Sequence, residues 1–379
     1  MTQKLSSTLT ALGEFGLISR ITARVAPHES VITGIGDDAA VTALTPGMRL
    51  LTSTDMLLED VHFRRGWHDP HTLGRKSLAV SISDIAAMGG IPRWALLSIA
   101  IPPDLSLDFI DEFMRGFLEL ASEYHVTLIG GDTCSSRTGV TISVTIMGEQ
   151  YPDLIVCRSG AQPDDDIWVT GTLGDAALGL ELVEGMREPH PHPNLPLEGE
   201  GTEIFTPLER TLWGLKGGVL NPPPFQAEGW GGDGVDFLLS RLLNPTPRVS
   251  VALALAEAGV ATAMIDISDG IRADFGHIAE LSGVGGTIMI ADLPLSDVFS
   301  SLTAHLPAIP YHHALSGGED YEICFTAGRS NREKIVDCVK KCGIAATRIG
   351  IVTKFSGVKV LNRDGTPFTA LTEGFNHFT

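Results

Sequence analysis

The sequence predicts an α/β protein built from two domains. Three observations support this prediction: the length of 379 residues, strand and helix signals that alternate in both halves, and acidic residues that follow several predicted strands. At roughly 150 residues per domain, the chain is long enough for about two. Hydrophobic residues make up 43% and charged residues 19%, a composition typical of a globular protein with a sizeable core.

The first half alternates short apolar runs with helical periodicity. Leu78, Ile82 and Ile85 recur at helical spacing before a Gly-Gly-Ile-Pro stop, and Trp94 begins a continuous apolar run typical of a buried strand. The predicted elements are a strand at 31–33, a hairpin at 40–54, a helix at 73–88, a strand at 94–101, a helix at 109–120, and strands at 126–129 and 140–147.

The second half repeats this alternation around an interruption. Strands are predicted at 166–170, 263–267 and 321–326, and helices at 175–183, 249–258 and 274–282. Between them, residues 188–232 hold repeated prolines and glycines, including Pro222-Pro223-Pro224. Such a composition does not sustain regular structure, so we predict an inserted surface loop. The predicted domains are therefore 1–150 and 151–379, with the insertion in the second.

Charge and apolar patterning exclude several classes of partner. Lys and Arg number 27 against 46 Asp and Glu, a net charge of −19, which argues against nucleic acid or an anionic membrane as a partner. No stretch approaches the roughly 18 apolar residues of a membrane span, and no signal peptide is predicted at the start. The 5 cysteines contain no C-x-x-C pair, as expected of reduced thiols in the cytoplasm.

Acidic residues beside Gly, Ser or Thr are the strongest functional signal. They occur in Gly36-Asp37-Asp38, Ser53-Thr54-Asp55, Ser83-Asp84, Gly130-Gly131-Asp132, Asp266-Ile267-Ser268-Asp269 and Gly317-Gly318-Glu319-Asp320. Each is read as a turn at a strand end, apart from Asp84, which interrupts the apolar pattern of a helix. Two converging carboxylates repel by roughly 4 kcal/mol at ~4 Å and an effective dielectric of ~20. Because Mg²⁺ commonly joins carboxylates to substrate phosphates, the pattern predicts a magnesium-nucleotide enzyme.

The usual phosphate-binding loops are missing from the sequence. Residues 34–39 match G-x-G-x-x-A, but a predicted hairpin follows them in place of the required helix, and no G-x-x-x-x-G-K-[ST] occurs. Phosphates must then be bound by Mg²⁺, by backbone donors near Gly36 and Gly131, and by cations such as Lys76 and Arg158.

These motifs together resemble those of the thiamine-monophosphate kinase family. The resemblance rests on residues 13–18, 34–41, 54–63, 83–89, 130–133, 265–271 and 314–322, and it covers the chain except for the insertion. The family belongs to the fold superfamily of aminoimidazole ribonucleotide synthetase. Ser81 stands where the family usually has Asn, and Cys134-Ser135-Ser136 replaces its usual Thr-Arg-Gly.

The resemblance implies transfer of the ATP γ-phosphoryl group to thiamine monophosphate. It implies a homodimer in which the N-terminal domains, which bind ATP and Mg²⁺, complete a barrel-like sheet. It assigns Mg²⁺ to Asp38, Ser53, Thr54, Asp55, Asp84, Asp132, Asp266 and Asp269. It assigns ATP to Gly131, Asp132, Arg158 and Ser268, and the thiamine phosphate to His62, Glu319 and Phe375.

Two other functions are consistent with parts of the pattern. An ATP-dependent synthetase of the same superfamily is the nearest rival, although a selenophosphate synthetase should carry a reactive cysteine near its N-terminus, and the first here is Cys134. A binding module disabled by the insertion is the other, and the retained acidic motifs argue against it.

Overall fold

A computed structural model describes residues 9–185, 233–304, 306 and 309–368 of the chain. The insertion predicted at 188–232 and the predicted contact Phe375 therefore lie outside the described residues.

The predicted α/β class is confirmed. The helices are α1 (Leu9–Thr22, interrupted at Gly13), α2 (Pro70–Ala87), α3 (Leu107–Glu123), α4 (Asp175–Gly185), α5 (Asp233–Leu243), α6 (Val249–Glu257), α7 (Ile271–Ser282), α8 (Asp297–Thr303), α9 (Tyr311–Ser316) and α10 (Arg332–Lys341). The strands are β1 (Val31–Thr33), β2 (Val41–Thr42), β3 (Arg49–Leu58), β4 (Ile91–Ile101), β5 (Thr127–Ser135), β6 (Thr141–Gln150), β7 (Asp166–Thr170), β8 (Ala263–Asp266), β9 (Gly285–Met289), β10 (Ile323–Ala327), β11 (Ala346–Thr353) and β12 (Gly357–Leu361).

The first sheet has the strand order β3-β6-β4-β5, in which β4 and β5 are parallel and the other pairs antiparallel. One face packs on α2 and α3. On the opposite face of β3, Leu50, Met56 and Leu58 are 50%, 55% and 37% exposed. Because side chains alternate along a strand, these three share one face. In the single chain, this face of the sheet is thus uncovered and exposes three large apolar side chains.

Strand pairing corrects two predictions from the sequence. The hairpin predicted at 40–54 is wrong, because β2 pairs with β1 while β3 pairs with β6. Strands β3 and β5 also continue past their predicted ends, so Asp55 and Asp132 lie within strands and not in turns. Ladder pairing with distant strands overrides the weak local preference of Gly and Asp for turns.

Helix α2 lies at the centre of the molecule. Asp69 caps its start by accepting a hydrogen bond from the backbone N–H of Thr72 at 3.0 Å, and Pro70 occupies the first turn. The helix packs closely on α3: a Cβ added to Gly116 would lie 1.9 Å from the carbonyl oxygen of His71. Its last turn, Ala86 and Ala87, joins the core beneath the second sheet. A single helix therefore contacts both sheets.

The second sheet has the order β12-β9-β11-β7-β10-β8, and only β12 and β9 pair in parallel. Helix α7 packs on one face, and α6 and α10 pack on the other. Strand β8 is at the edge nearest α2, so its last residue, Asp266, is directed toward that helix. No helix in the described ranges is long and apolar enough to cross a membrane.

Candidate active site

Three carboxylates meet around α2. Asp84 belongs to α2 itself, Asp55 to β3 of the first sheet, and Asp266 to the end of β8 in the second sheet. Serine hydroxyl groups join these elements. Ser81 of α2 donates to Asp55 Oδ2 at 2.7 Å, Ser83 of α2 donates to Asp266 Oδ2 at 2.7 Å, and Ser53 of β3 donates to Asp84. Each carboxylate is thus held by a hydroxyl group from another element.

Burial shifts the titration of these carboxylates. It raises the pKa of Asp55 to about 6, with the charge of Asp84 adding to the shift. It raises the pKa of Asp266 to about 7, again with help from Asp84. Burial also raises the pKa of Asp84, against the hydrogen bond from Ser53 and the charge of Arg158. Desolvation is the largest cause in all three, so a cation that neutralises the group would be strongly favoured.

A further carboxylate lies behind Asp266 in the first turn of α7. Asp274 is 2% exposed, and burial together with Asp266 and Asp269 raises its pKa well above the usual range. It accepts a hydrogen bond from the backbone N–H of Asp269 at 3.2 Å. Asp274 therefore orients the turn that carries Ser268 and Asp269.

A cleft of about 330 Å³ is lined by Asp84, one of the three carboxylates. Ser53, Asp84, Arg158 and Ser159 contribute polar groups to its lining. Arg158 is exposed, and its charge acts on both Asp84 and Asp266. A larger cavity of about 1260 Å³ includes none of the predicted site residues, so we place the candidate site at the smaller cleft, which Asp84 and Arg158 line.

The Glu319 loop lies against the same turn. Glu319 and Tyr321 have φ angles of 69° and 50°, in the left-handed region that non-glycine residues seldom adopt. Their backbone N–H groups donate to the carbonyl oxygens of Ser268 and Ile267, both at 2.8 Å. The Glu319 carboxylate forms an ion pair with Lys76 of α2. The loop is thus attached both to the Asp266–Asp269 turn and to the central helix.

Glu322 organises a buried ionic cluster next to this loop. Its carboxylate is fully buried and accepts hydrogen bonds from Arg241 at 2.9 Å, from Arg248 Nε at 2.7 Å and from the Thr170 hydroxyl at 2.7 Å. Arg241 also donates to the carbonyl oxygen of Asp320 at 3.1 Å. Bidentate pairing with arginine gives such a pair directional strength, so the cluster supports the backbone that carries Glu319.

Two of the predicted metal ligands are more exposed than the three carboxylates. Asp38 is exposed ahead of β2, and Asp132 is exposed on β5 opposite Ser98. The sheet order β3-β6-β4-β5 places Asp132 three strands away from Asp55. Within the described part of the chain, no three acidic, histidine or cysteine side chains are close enough to form a preformed metal centre.

The remaining predicted residues have local partners or special backbone positions. The Thr54 hydroxyl lies 3.1 Å from that of Thr145 on the sheet, and His62 Nδ1 accepts the backbone N–H of Leu58 at 3.1 Å. Gly131 is required by packing, since an added Cβ would lie 1.8 Å from the carbonyl oxygen of Leu97.

Sequence reasoning missed the roles of Ser83, Asp274, Arg241, Arg248 and Glu322. Three serines among the apolar residues that precede Asp84 (Ser77, Ser81 and Ser83) were a signal in the sequence, and the structure buries all three. Nothing local indicated the arginine partners of Glu322. Ser81, which stands where the family usually has Asn, donates a hydrogen bond to Asp55.

Known proteins are similar to this chain in both sequence and fold. The family model described as AIR synthase related protein, N-terminal domain, matches residues 36–150. Thiamine-monophosphate kinase of Bacillus subtilis (strain 168) is 34% identical over 368 residues, which cover 97% of this chain and 100% of the relative.

Two solved structures are similar to this chain over nearly its whole length. The crystal structure of thiamine-monophosphate kinase from Stenotrophomonas maltophilia K279a is 35% identical, with a TM-score of 0.73 and coverage of 94% of this chain and 98% of that one. The structure described as AaThiL complexed with AMPPCP and TMP is 31% identical, with a TM-score of 0.67 and coverage of 99% and 100%.

Proposed function

The chain belongs to the thiamine-monophosphate kinase family, and we therefore propose that it transfers the γ-phosphoryl group of ATP to thiamine monophosphate. The products are thiamine diphosphate and ADP. The observation that carries this proposal is the convergence of Asp55, Asp84 and Asp266 around α2 beside a cleft that Arg158 lines. A relative described as complexed with AMPPCP and TMP, an ATP analogue and the proposed acceptor, supports the choice of substrates.

These carboxylates are suitable ligands for Mg²⁺. In each of Asp55, Asp84 and Asp266, one carboxylate oxygen accepts a hydrogen bond from a serine hydroxyl. The other carboxylate oxygen accepts no hydrogen bond from a described residue, so it can bind a cation. Mg²⁺ is usually bound by one or two carboxylates, with waters and substrate phosphates completing its shell, so a preformed centre is not required. When bound, Mg²⁺ would offset the charge of the carboxylates and of the transferring phosphoryl group.

We propose these three carboxylates as the core of the metal site. From the resemblance to the family, we also propose Asp38, Ser53, Thr54, Asp132 and Asp269 as ligands of Mg²⁺. The proposed contacts are Gly131, Asp132, Arg158 and Ser268 for ATP, and His62, Glu319 and Phe375 for the acceptor.

The proposed reaction is a direct in-line displacement. An oxygen of the acceptor phosphate attacks the γ-phosphorus of ATP, and the bond to the β–γ bridging oxygen breaks. The acceptor phosphate is already largely ionised near neutral pH, so no strong general base is needed. The chain's contribution is to position both phosphates and to balance their charge, for which Arg158 and the backbone donors near Gly131 are suited.

We also propose that the protein acts as a homodimer. The uncovered face of the first sheet exposes Leu50, Met56 and Leu58 along β3, with Thr52 and Thr54 between them. A second copy would cover this face and complete a barrel-like sheet.

Product formation tests the proposed reaction. The protein is incubated with ATP and Mg²⁺ plus either thiamine monophosphate or thiamine, and the products are separated by chromatography. We expect thiamine diphosphate from the monophosphate only, because thiamine lacks the attacking phosphate oxygen. Equal transfer to both acceptors, or to neither, would contradict the proposal.

The Asp84→Asn variant tests the role of this carboxylate in the proposed metal site. The amide keeps an oxygen to accept from Ser53 but removes the charge, so turnover should fall by about 100-fold or more. The metal-free variant should unfold at the same or a higher temperature, because one buried like charge is gone. Full activity of Asp84→Asn would remove this carboxylate from the site.

A further inference from the structure

Lys76 carries an ammonium group that solvent does not reach. Its side chain is 0% exposed, whereas that of its partner Glu319 is 27% exposed. Nζ donates to the carbonyl oxygen of Leu242 at 3.0 Å and to Glu319 Oε2. A ligand in solution can therefore touch the Glu319 carboxylate but not Lys76.

We propose that Lys76 is a positioning residue that holds Glu319 as an oriented carboxylate for the amine-bearing end of the acceptor. This inference rests on the proposed function and adds a residue to its acceptor site. Glu319 Oε1 has no donor among the described residues, so it remains open to an N–H group of the substrate. Lys76 acts through Glu319 and does not contact the substrate itself.

The backbone around Glu319 is constrained, but its side chain is not. The left-handed φ of Glu319 and its 2.8 Å hydrogen bond to Ser268 define where the side chain begins. A glutamate still has rotatable bonds between its backbone and its carboxylate. The ion pair with Lys76 removes that freedom before the substrate arrives, which lowers the entropic cost of binding.

The position of Lys76 requires this partner. A fully buried ammonium is strongly disfavoured unless it is paired. Glu319 is its only acidic partner at ion-pair distance in the described ranges. The neighbouring His68 adds no like charge, since burial and the charge of Lys76 hold its pKa well below the usual range and keep it neutral.

Lys76 also ties the acceptor site to the metal site. It lies eight residues before Asp84 on α2, a separation of about 12 Å along the helix axis at 1.5 Å per residue. The same helix thus holds the anchor of Glu319 and a carboxylate proposed to handle the phosphates. A rigid helix would keep the amine end and the phosphate end of the acceptor at a constant spacing.

Steady-state kinetics of three variants test the proposal: Lys76→Met, Glu319→Gln and the double variant. We expect Lys76→Met to raise the KM for thiamine monophosphate about tenfold, with smaller changes in kcat and in the KM for ATP. In the Glu319→Gln background, Lys76→Met should add little further. Lys354→Met, at an exposed position, is the control and should behave as wild type.

Several outcomes would overturn the proposal. One is a folded Lys76→Met protein with an unchanged KM for thiamine monophosphate, and another is an equal rise in the KM for thiamine monophosphate and the KM for ATP. The third is a double variant in which Lys76→Met raises the acceptor KM as much as it does in the wild type. If Lys76→Met does not fold, Lys76→Gln, which keeps an N–H donor, replaces it. Failure of both variants to fold would assign Lys76 to stability alone.

The closing measurement separates this inference from the proposed function. Calorimetry of thiamine monophosphate binding needs no turnover. If the wild type binds this ligand but forms no thiamine diphosphate, the reaction is wrong and the binding comparison still tests Lys76. If the wild type turns over and Lys76→Met binds equally well, only the inference fails.

Discussion

At the scale of single residues, the site is defined by carboxylates that the fold makes hard to ionise. The pKa values of Asp55 and Asp266 are raised by burial to about 6 and about 7. An ordinary aspartate titrates near pKa 3.9, so the folded protein holds extra protons between about pH 4 and about pH 7. In this window, protons and cations therefore compete for the same carboxylates.

This competition predicts a pH-dependent response to Mg²⁺. Without metal, these two groups make unfolding easier as pH rises from about 4 to about 7, because the folded state binds more protons than the unfolded state does. Bound Mg²⁺ should reverse this loss. Thermal unfolding with and without Mg²⁺ should show a larger stabilisation at about pH 7.5 than at about pH 5.5.

Variants at the two positions provide the control for this response. In the double variant Asp55→Asn with Asp266→Asn, the stabilisation by Mg²⁺ should shrink, and its pH dependence should flatten. An equal Mg²⁺ stabilisation at both pH values in the wild type would show that these carboxylates do not bind the metal.

At the scale of elements, the close approach of α2 and α3 holds the site. A Cβ at Gly116 would meet the carbonyl oxygen of His71 at 1.9 Å, and a Cβ at Gly74 would meet that of Phe113 at 2.0 Å. Both contacts are with backbone, which cannot move aside without shifting a helix. Because Lys76, Ser81, Ser83 and Asp84 all lie on α2, such a shift would disturb the proposed acceptor and metal sites together.

Two glycine-to-alanine variants separate packing from helix propensity. Gly116→Ala should lower the free energy of unfolding by about 1–3 kcal/mol, the usual cost of overpacking, and should lower activity as α2 moves. Gly276→Ala in α7, where no atom lies within 4 Å of the added Cβ, should raise stability by up to about 1 kcal/mol. Urea unfolding measures both. If Gly116→Ala is as stable as Gly276→Ala, α2 and α3 can move apart without cost, and the close contact does not hold the site.

At the scale of the whole molecule, the uncovered face of the first sheet predicts a dimer. Leu50, Met56 and Leu58 are exposed on this face, and exposed apolar side chains gathered on one face favour association. We expect light scattering after gel filtration to give twice the chain mass.

Substitution on this face tests the dimer directly. Met56→Asp should give a monomer, because a charge cannot be buried unpaired in the interface. Phe355→Asp is the matched control: this side chain is 80% exposed in the loop between β11 and β12, and its loss should leave the mass unchanged. A monomeric wild type would overturn the proposed assembly.

Features coded by neighbouring residues could be predicted from the sequence alone. The α/β class, the helix that holds Asp84, the acidic motifs and the family all depend on short patterns such as helical spacing and Gly-Gly-Glu-Asp. Asp55, Asp84 and Asp266 were identified in this way, and the structure brings those three together. The strand ends at Asp55 and Asp132 and the hairpin at 40–54 were predicted wrongly, because pairing with distant strands decided them.

Only the tertiary structure decided which groups meet. Ser83 and Asp266 are 183 positions apart in the chain, and Lys76 and Glu319 are 243 apart. No local pattern encodes such pairs, since they form only when α2 is packed against both sheets. The raised pKa values have the same origin, because desolvation depends on what surrounds a carboxylate in space and not on its neighbours in sequence.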